Sequence, residues 1–541
     1  MSWILGFAGT SLSPSLRERL VALHPLAMRV AEEATYYLAA GGLPETCHAG
    51  ALPKEAGTWA VVGLGIRLHD DHCTFLDTAA WQARLSRQPP DLDSLNGHFA
   101  AVRYQHGRLD CFTDPMGTRT LYFVQLDDGV AFSTRLDWLA RLRGEAAINF
   151  GVFGSHWLSF NQWSSESLVK GVQRLGPGGH ATLTERGLDL TETPWLPDID
   201  ESDCDGSQFA QMLSVLVHPH CNNGRTVSLS LSGGMDSRLV LAMRREATPV
   251  RTHTFGPDAL PDAHVARRIA DGEGLQHQAL HAPVPDADTC LSLLRHHMAA
   301  TQAISPASAV VGLSHFPTLR AKGFIIIDGG MGEITRRKFL DRLLLFNRKA
   351  LQAGDVDAIL PYLRFHGPDF FSSETKRAMD QGFREEVASM WQAMPSPQTI
   401  GDENFLDLLR VRTVLPNFYG YEQNRLDGVI QNYMPFAQPA LLRAVFQVPL
   451  SLRRKGRLVR QLIRTHHAAL ARYPLVKGGL THPFWLPAFP AAVWTKLHTR
   501  MGHGYTNPTR RDFLETVKPF VLDAVHLQEV RAYAGYDVTR L

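Results

Sequence analysis

Apolar residues in the first 190 positions fall in short runs of β-branched and aromatic side chains bounded by turn residues. Residues 59–66, 99–104, 109–113 and 120–124 are of this kind, and each predicts a strand. Helices are predicted over 15–23, 27–40 and 136–142. Together these elements describe an α+β domain with much antiparallel sheet. Residues 191–203 are acidic and carry Pro194 and Pro197, which places a domain junction there and divides the chain into 1–195 and 205–541. Beyond the junction the rhythm changes. Phe209, Met212, Leu213, Leu216 and Val217 repeat at helical spacing, and Val227, Leu229 and Leu231 alternate with polar residues as in a half-buried strand. Further strands over 249–255, 277–281 and 323–328 alternate with helices over 237–245, 262–274 and 286–301. Such connections are long enough for crossovers, so the chain is read as α/β, with a parallel sheet covered by helices on both faces. After about residue 335 the pattern is mostly helical, over 343–353, 374–394, 404–415, 439–446 and 458–471.

The strand at 227–231 runs into Ser232-Gly233-Gly234-Met235-Asp236-Ser237. Two glycines allow a sharp turn and close backbone approach to a ligand. A helix N-terminus follows, so free N–H groups and the helix dipole converge on an anion. Asp236 would repel a phosphate directly, and its place makes sense if it holds a Mg²⁺ that the phosphates share. The pattern resembles the pyrophosphate loop of ATP pyrophosphatases, which cleave ATP between the α and β phosphates; no Gly-Lys-Ser/Thr follows, so it is not a Walker loop. A second glycine-rich strand end, Asp328-Gly329-Gly330-Met331-Gly332-Glu333, follows the apolar run 324–327. If its strand neighbours the first, Asp236 and Glu333 share the cation.

Transfer of an adenylyl group puts negative charge on pyrophosphate, which nearby cations stabilise. Candidates are Arg453, Arg454, Lys455, Arg457, Arg460 and Arg464, then Lys477 in a Lys-Gly-Gly loop. Asp262 at the start of its helix reads as a cap before it reads as a ligand of ATP. His253 and His277 read as hydrogen-bonded core residues. The pairs His296-His297 and His466-His467 point apart on helices and do not suggest a shared metal. Tyr419, Tyr421 and Glu422 offer a Tyr–Glu proton relay for an amine or, more simply, aromatic packing.

Composition narrows the class. The 541 residues carry a formal net charge of only +2, which gives no bulk attraction to nucleic acid or membrane. The 6 cysteines form no Cys-x-x-Cys pair, so neither a zinc ribbon nor a redox motif is suggested. The first residues lack a signal-peptide pattern, and no apolar run is long enough to span a bilayer, so a cytoplasmic location is expected.

With these pieces assembled, the chain resembles the asparagine synthetase superfamily. The C-terminal part carries Ser232 to Ser237, the Asp262…Ala266…Ala270…Gly274…His277 pattern, the loop from Gly329 to Glu333, Pro435-Phe436 and Arg460-Gln461-Leu462-Ile463-Arg464. The N-terminal part carries Leu95-Asn96-Gly97-His98-Phe99-Ala100, Asp114-Pro115-Met116-Gly117-Thr118-Arg119-Thr120-Leu121-Tyr122 and Ala131-Phe132-Ser133-Thr134 in the family's order. The resemblance implies a degenerate Ntn-type glutaminase-like domain followed by a PP-loop ATP pyrophosphatase domain. It also implies ATP and Mg²⁺ as cofactors. Leu231, Ser232, Gly233, Gly234, Asp236, Ser237, Phe255, Asp328 and Gly329 would surround the nucleotide, Asp236 and Glu333 would bind the metal, and Arg460, Lys477 and Glu422 would act in catalysis.

Departures from the family pattern direct the functional expectation. Its glutaminases open with Met-Cys-Gly-Ile, whereas this chain opens Met1-Ser2-Trp3-Ile4, and the Arg-Gly-Pro-Asp glutamine segment is missing from 41–47. A serine is far less nucleophilic than a thiolate. Family members without an ammonia source take the amine from the substrate itself, as β-lactam synthetases and lasso-peptide cyclases do. Arg460, where the synthetases carry a catalytic Lys, and the loop from Asp328 to Glu333 are more similar to the cyclases, although an Arg cannot act as a base. The expected function is therefore an AMP-forming macrolactam synthetase acting on a lasso-peptide precursor. Its expected partners are that peptide and a leader-peptide recognition or protease protein. The alternatives are a small-molecule cyclase of the β-lactam type and asparagine synthetase.

Overall fold

A computed structural model describes the chain except residues 25–27, 53–56, 145, 222–223, 246–248, 303–306, 338 and 502–506. It is an α/β protein with antiparallel sheets in the N-terminal part and a parallel sheet with helices in the C-terminal part.

In the N-terminal part a six-stranded and a seven-stranded antiparallel sheet face each other. Strand alternation builds four layers. Leu38 and Phe132 of one sheet meet Val62 and Val102 of the other in a shared core, where the rings of Tyr36 and Tyr104 stack at 3.7 Å. The neighbouring positions Tyr37 and Ala39 point outward, under the helices Pro14–Leu23 and Leu136–Arg143. Trp59 and Val61 point outward from the second sheet against Trp81 and Leu85 of the helix Thr78–Leu85. The helix expected over 27–40 is instead the two strands Met28–Glu32 and Tyr36–Gly41, with Ala27 outside the described residues. Its Ala- and Glu-rich composition favours a helix locally, but Tyr36 to Ala40 are all buried, and sheet pairing wins.

The parallel sheet contains β1 (Thr226–Ser230), β2 (Val250–Phe255), β3 (His277–Leu280), β4 (Phe324–Ile327) and β5 (Asn432–Tyr433), in the order β3-β2-β1-β4-β5. The chain winds from β1 to one side through β2 and β3, then crosses to β4 on the other side. β1 and β4 therefore flank the point where the winding reverses, and a crevice opens there at the carboxyl ends of the strands. Helices α1 (Asp236–Ala242) and α2 (Pro261–Gly272) follow β1 and β2, and α3 (Arg457–His466) packs on α1. The helix expected over 458–471 stops at His466 and continues as a 3₁₀ turn, Ala468–Arg472; the one expected over 343–353 is interrupted at Asn347. Between β4 and β5 lie the helices Ser373–Gln392 and Asp402–Val414 and a π-helical turn, Leu415–Tyr419. No helix among the described residues is long and apolar enough to cross a membrane.

A buried polar network joins the two parts. Asp427, fully buried, accepts from His98 Nε2 at 2.8 Å and from Asn432 Nδ2 at 3.2 Å, and it forms an ion pair with Arg119. The same guanidinium donates to Asn424 Oδ1 at 3.2 Å and to the carbonyl of Ser2. Gln438 and Asn96 add reciprocal bonds across the seam, to the N–H groups of Gly97 and Ala440. Ser2 lies inside this seam with no exposed surface. Its Oγ is 2.5 Å from Thr46 Oγ1 and donates to the Asp427 carbonyl at 3.0 Å.

Candidate nucleotide site

The loop after β1 is tied down from three sides. Ser237 Oγ accepts from the Ser232 N–H at 3.1 Å and lies 3.0 Å from Ser232 Oγ, which closes the turn on itself. Asp262 Oδ1 accepts from the Gly233 N–H at 3.1 Å. The Gly233 carbonyl accepts from the N–H of Val476, in the strand Leu475–Lys477, at 3.0 Å. Gly233 has no alternative here, since a Cβ would sit 2.3 Å from Val476 Cγ2. A Cβ on Gly234 would meet only Ser232 Oγ, so the turn is open on that side. Leu231 is buried beneath it, bonded to His253 and Thr254.

Arg238 locks the arrangement. Its side chain has no exposed surface and donates to the carbonyls of Leu470, Tyr473 and Pro474 at 3.2, 2.8 and 2.7 Å, and to that of Gly233 at 3.4 Å. Burial lowers its pKa to about 10, so the guanidinium remains charged at neutral pH.

β4 pairs directly with β1, and this sets the second glycine loop against the first. A Cβ on Gly332 would lie 2.6 Å from both Cβ and Cγ of Asp236, and one on Gly329 would lie 3.0 Å from the Ser237 nitrogen. Asp236 and Glu333 thus stand at the ends of adjacent strands, and each carboxylate is paired with an arginine that sequence reading missed. Arg336 pairs with Asp236, and Arg410 pairs with Glu333, which also accepts from Tyr419 Oη at 2.7 Å. Burial alone would push the Glu333 carboxyl up; Arg410 and the Tyr419 hydrogen bond outweigh it and hold the pKa below the usual range. Because only a fitted loop excludes a methyl group at that distance, Gly332→Ala is expected to cost about 1–3 kcal/mol through overpacking. At Gly330 an added Cβ would press mainly on the flexible Met434 thioether at 2.6 Å, so Gly330→Ala should cost less. Equal melting-temperature losses for the two variants would contradict a loop fitted to Asp236.

The remaining predicted residues divide. Lys477 lies beside the loop on the strand that bonds Gly233; burial of its stem and the Arg336 charge lower its pKa. Arg460 on α3 donates to the carbonyls of Phe484 at 2.5 Å and Leu486 at 2.9 Å, and lies over the Phe484 ring with Arg464. Burial, Arg464 and Arg336 lower its pKa. Glu422 pairs with Arg425 at 2.5 Å; burial and the Asp328 charge push its carboxyl up against Arg425. The Asp328 carboxylate accepts from the Gly330 N–H at 2.6 Å. Phe255 is partly exposed at the end of β2, beside the rings of His315 and Phe316.

Some sequence expectations need correction. Asp262 does not cap its helix, because its carboxylate is turned to Gly233; Leu260 occupies the cap position with no side-chain bond. Tyr419 pairs with Glu333 rather than Glu422, and Tyr421 Oη lies 3.0 Å from Tyr122 Oη in the N-terminal part. Arg453 is fully buried on Asp407 and Asn404, and Arg454 pairs with Glu403, so neither serves the glycine loops. His253 and His277 do hydrogen-bond within the sheet, at 2.8 Å to Ser228 Oγ and 2.9 Å to Thr252 Oγ1.

Asp236 and Glu333 stand where a nucleotide triphosphate would share a Mg²⁺ with them. A hard cation takes oxygen donors, and Mg²⁺ in particular uses one or two carboxylates together with phosphates; Asp236 and Glu333 supply the carboxylates. The Arg336 charge helps to lower the pKa of both Arg460 and Lys477, a crowding of like charge that an anion relieves.

Residues 208–321 match the family model described as Asparagine synthase. That segment holds β1 to β3 and ends before β4. No curated protein matches the sequence. Among solved structures, glutamine phosphoribosylpyrophosphate amidotransferase from B. subtilis, complexed with ADP and GMP, is similar at 12% identity over 51% of this chain and 90% of that one, with a TM-score of 0.24. A structure described as the allosteric regulatory enzyme of purine biosynthesis is similar at 11% identity over 52% of this chain and 81% of that one, also with a TM-score of 0.24. Likenesses this distant carry nothing further.

Proposed function

We propose that the chain is an ATP- and Mg²⁺-dependent amide ligase. It adenylates an Asp or Glu side-chain carboxylate of a lasso-peptide precursor, and the peptide's N-terminal amine then closes a macrolactam, with release of AMP and pyrophosphate. One observation carries this reading: two glycine loops at the carboxyl ends of neighbouring parallel strands, packed so that Asp236 sits against Gly332. We place the boundary between the inactive glutaminase-like part and the synthetase part at about residues 195–205, where no helix or strand forms.

In this proposal Ser232, Gly233, Gly234 and Ser237 surround the phosphates, Phe255 adjoins the base, and Asp328 and Gly329 complete the rim. Asp236 and Glu333 hold Mg²⁺, which when bound neutralises charge on the departing pyrophosphate. Arg336 and Lys477 add positive charge at the same place. Arg460 contributes its field from behind while holding the carbonyls of Phe484 and Leu486. Glu422, its carboxyl pushed up, is our candidate to accept the amine's proton. The partners are the precursor peptide and a leader-recognition or protease protein, with no part for nucleic acid or membrane, in the cytoplasm.

The position of Ser2 supports an amine drawn from the substrate. Its hydroxyl is enclosed and engaged by Thr46 and the Asp427 carbonyl, with no surface left for glutamine. Incubation with ATP, Mg²⁺ and candidate precursor peptides is expected to yield AMP and a peptide lighter by one water, and Ser2→Ala is expected to lower stability through its lost buried hydrogen bonds while leaving the rate of the folded protein within about twofold, because Ser2 has no part in the proposed chemistry. Asparagine formed from aspartate and glutamine, and lost in Ser2→Ala, would overturn the proposal.

A further inference from the structure

Away from the glycine loops, a cavity of about 850 Å³ opens between the N-terminal sheets and the helices Ser373–Gln392 and Asp402–Val414. Its size is that of sites for small organic ligands. Trp163, Trp195, Met390 and Val411 give it apolar walls, and Arg174 and Asn417 add polar groups.

Arg174 is the anomaly. Only 6% of it is exposed, yet its Nε and Nη1 are buried with no hydrogen-bond partner. Its guanidinium lies over the Tyr421 ring, 5.9 Å from Cζ to the ring centre. Other buried guanidinium groups leave a nitrogen unpartnered too, such as Nε of Arg119 and Arg238, but each is held by an acid or by carbonyls: Arg119 on Asp427, Arg453 on Asp407, Arg238 on four carbonyls. The acids near Arg174 are committed to other donors. Glu192 accepts from the Gly176 N–H and Ser165, and Glu386 from the Trp163 N–H and Ser164. Those carboxylates and the two tyrosines nonetheless outweigh burial and keep the guanidinium charged. Asn417 Oδ1 and Trp195 Nε1 are further buried atoms without a partner on the same cavity wall. Burying a charge without hydrogen bonds is costly, and native structures rarely leave it so.

We propose that this cavity binds a small organic carboxylate, its anionic group on Arg174 and its apolar body between Trp163, Trp195, Met390 and Val411. The inference is independent of the ligase proposal. Planar guanidinium and carboxylate match as a bidentate pair, which favours a carboxylate over a neutral ligand. The π-helical turn Leu415–Tyr419 gives the site a path to the chemistry, because its Pro416 and Asn417 line the cavity while its Tyr419 bonds Glu333.

The test titrates the full-length protein with phenylacetate, indole-3-acetate and hexanoate, against 2-phenylethanol and inorganic sulfate. Readouts are tryptophan fluorescence, sensitive to Trp163 and Trp195, and melting temperature. At least one of the three carboxylates is expected to bind saturably, at least tenfold more tightly than 2-phenylethanol or sulfate. Arg174→Met should lose this preference while remaining folded, since it keeps the apolar stem and removes only the charged group. Met390→Trp, which fills the cavity and keeps Arg174, should abolish binding. Absence of saturable binding by all three carboxylates overturns the proposal. So does equal binding of sulfate, or a folded Arg174→Met protein that keeps the preference.

Discussion

Replacing Asp236 by alanine is expected to reduce AMP release by about 10²–10³-fold or more, the scale on which a single group aimed at developing charge matters. The carboxylate opens α1, faces Gly332 with no room for another atom, and stands in an ion pair with Arg336. Removing it takes away the first ligand proposed for Mg²⁺ and leaves Arg336 to collapse onto the phosphates. Asp236→Asn separates the two effects. It keeps the shape and a hydrogen bond to Arg336, so the melting temperature should stay close to that of the wild type while the Mg²⁺ concentration needed for half-maximal rate rises steeply. Glu333→Gln should show the same pattern more weakly, because Tyr419 and Arg410 keep that side chain in place. An Asp236→Ala protein that stays folded and turns over within tenfold of the wild type would remove the loop from the chemistry altogether.

The second large effect is on stability. Asp427→Ala strands Arg119 and His98, both about 1% exposed, without the carboxylate they share. Breaking a buried ion pair from one side typically costs about 3–5 kcal/mol, because the remaining charge stays buried. The loss should appear as a lower melting temperature and as faster proteolysis of the seam between the two parts. Arg119→Met combined with Asp427→Leu removes both charges and should recover much of the loss, so the double variant is expected to be more stable than Asp427→Ala. That ordering separates a paired charge from mere packing, and the reverse ordering would show that the network's other bonds, to Ser2 and Asn424, matter more.

Local pattern revealed much of this molecule. Val227, Leu229 and Leu231 alternate because they fill the apolar core, while Ser228 between them is equally buried but bonded to His253, and the two glycine loops are legible because close backbone contact tolerates no side chain. Their adjacency was conditional in the sequence, and only the pairing of β1 with β4 supplies it. What sequence concealed is long-range. Arg336 and Arg410 are ordinary arginines in helical text, and nothing in their spacing says that they meet Asp236 and Glu333. Asp262 carries the local signature of a cap, yet its partner is Gly233, 29 positions earlier. Tyr419 lies three residues from Glu422 but bonds Glu333, 86 positions away, because the π-helical turn rotates it toward β4. The strands at 28–41 were concealed for a related reason: residues that favour a helix in isolation are overridden by sheet pairing, Tyr36–Gly41 between two strands and Met28–Glu32 at the edge against it.

Arg238 sets a timetable. Three of the carbonyls it holds belong to residues more than 230 positions downstream, and the backbone bond from Val476 to Gly233 spans a similar interval. While the polypeptide is leaving the ribosome, both glycine loops emerge long before the segment that clamps the first of them. The partly synthesised chain therefore has the letters of the proposed nucleotide site without its shape, which arrives only when the segment from Leu470 to Val476 folds back over the first loop.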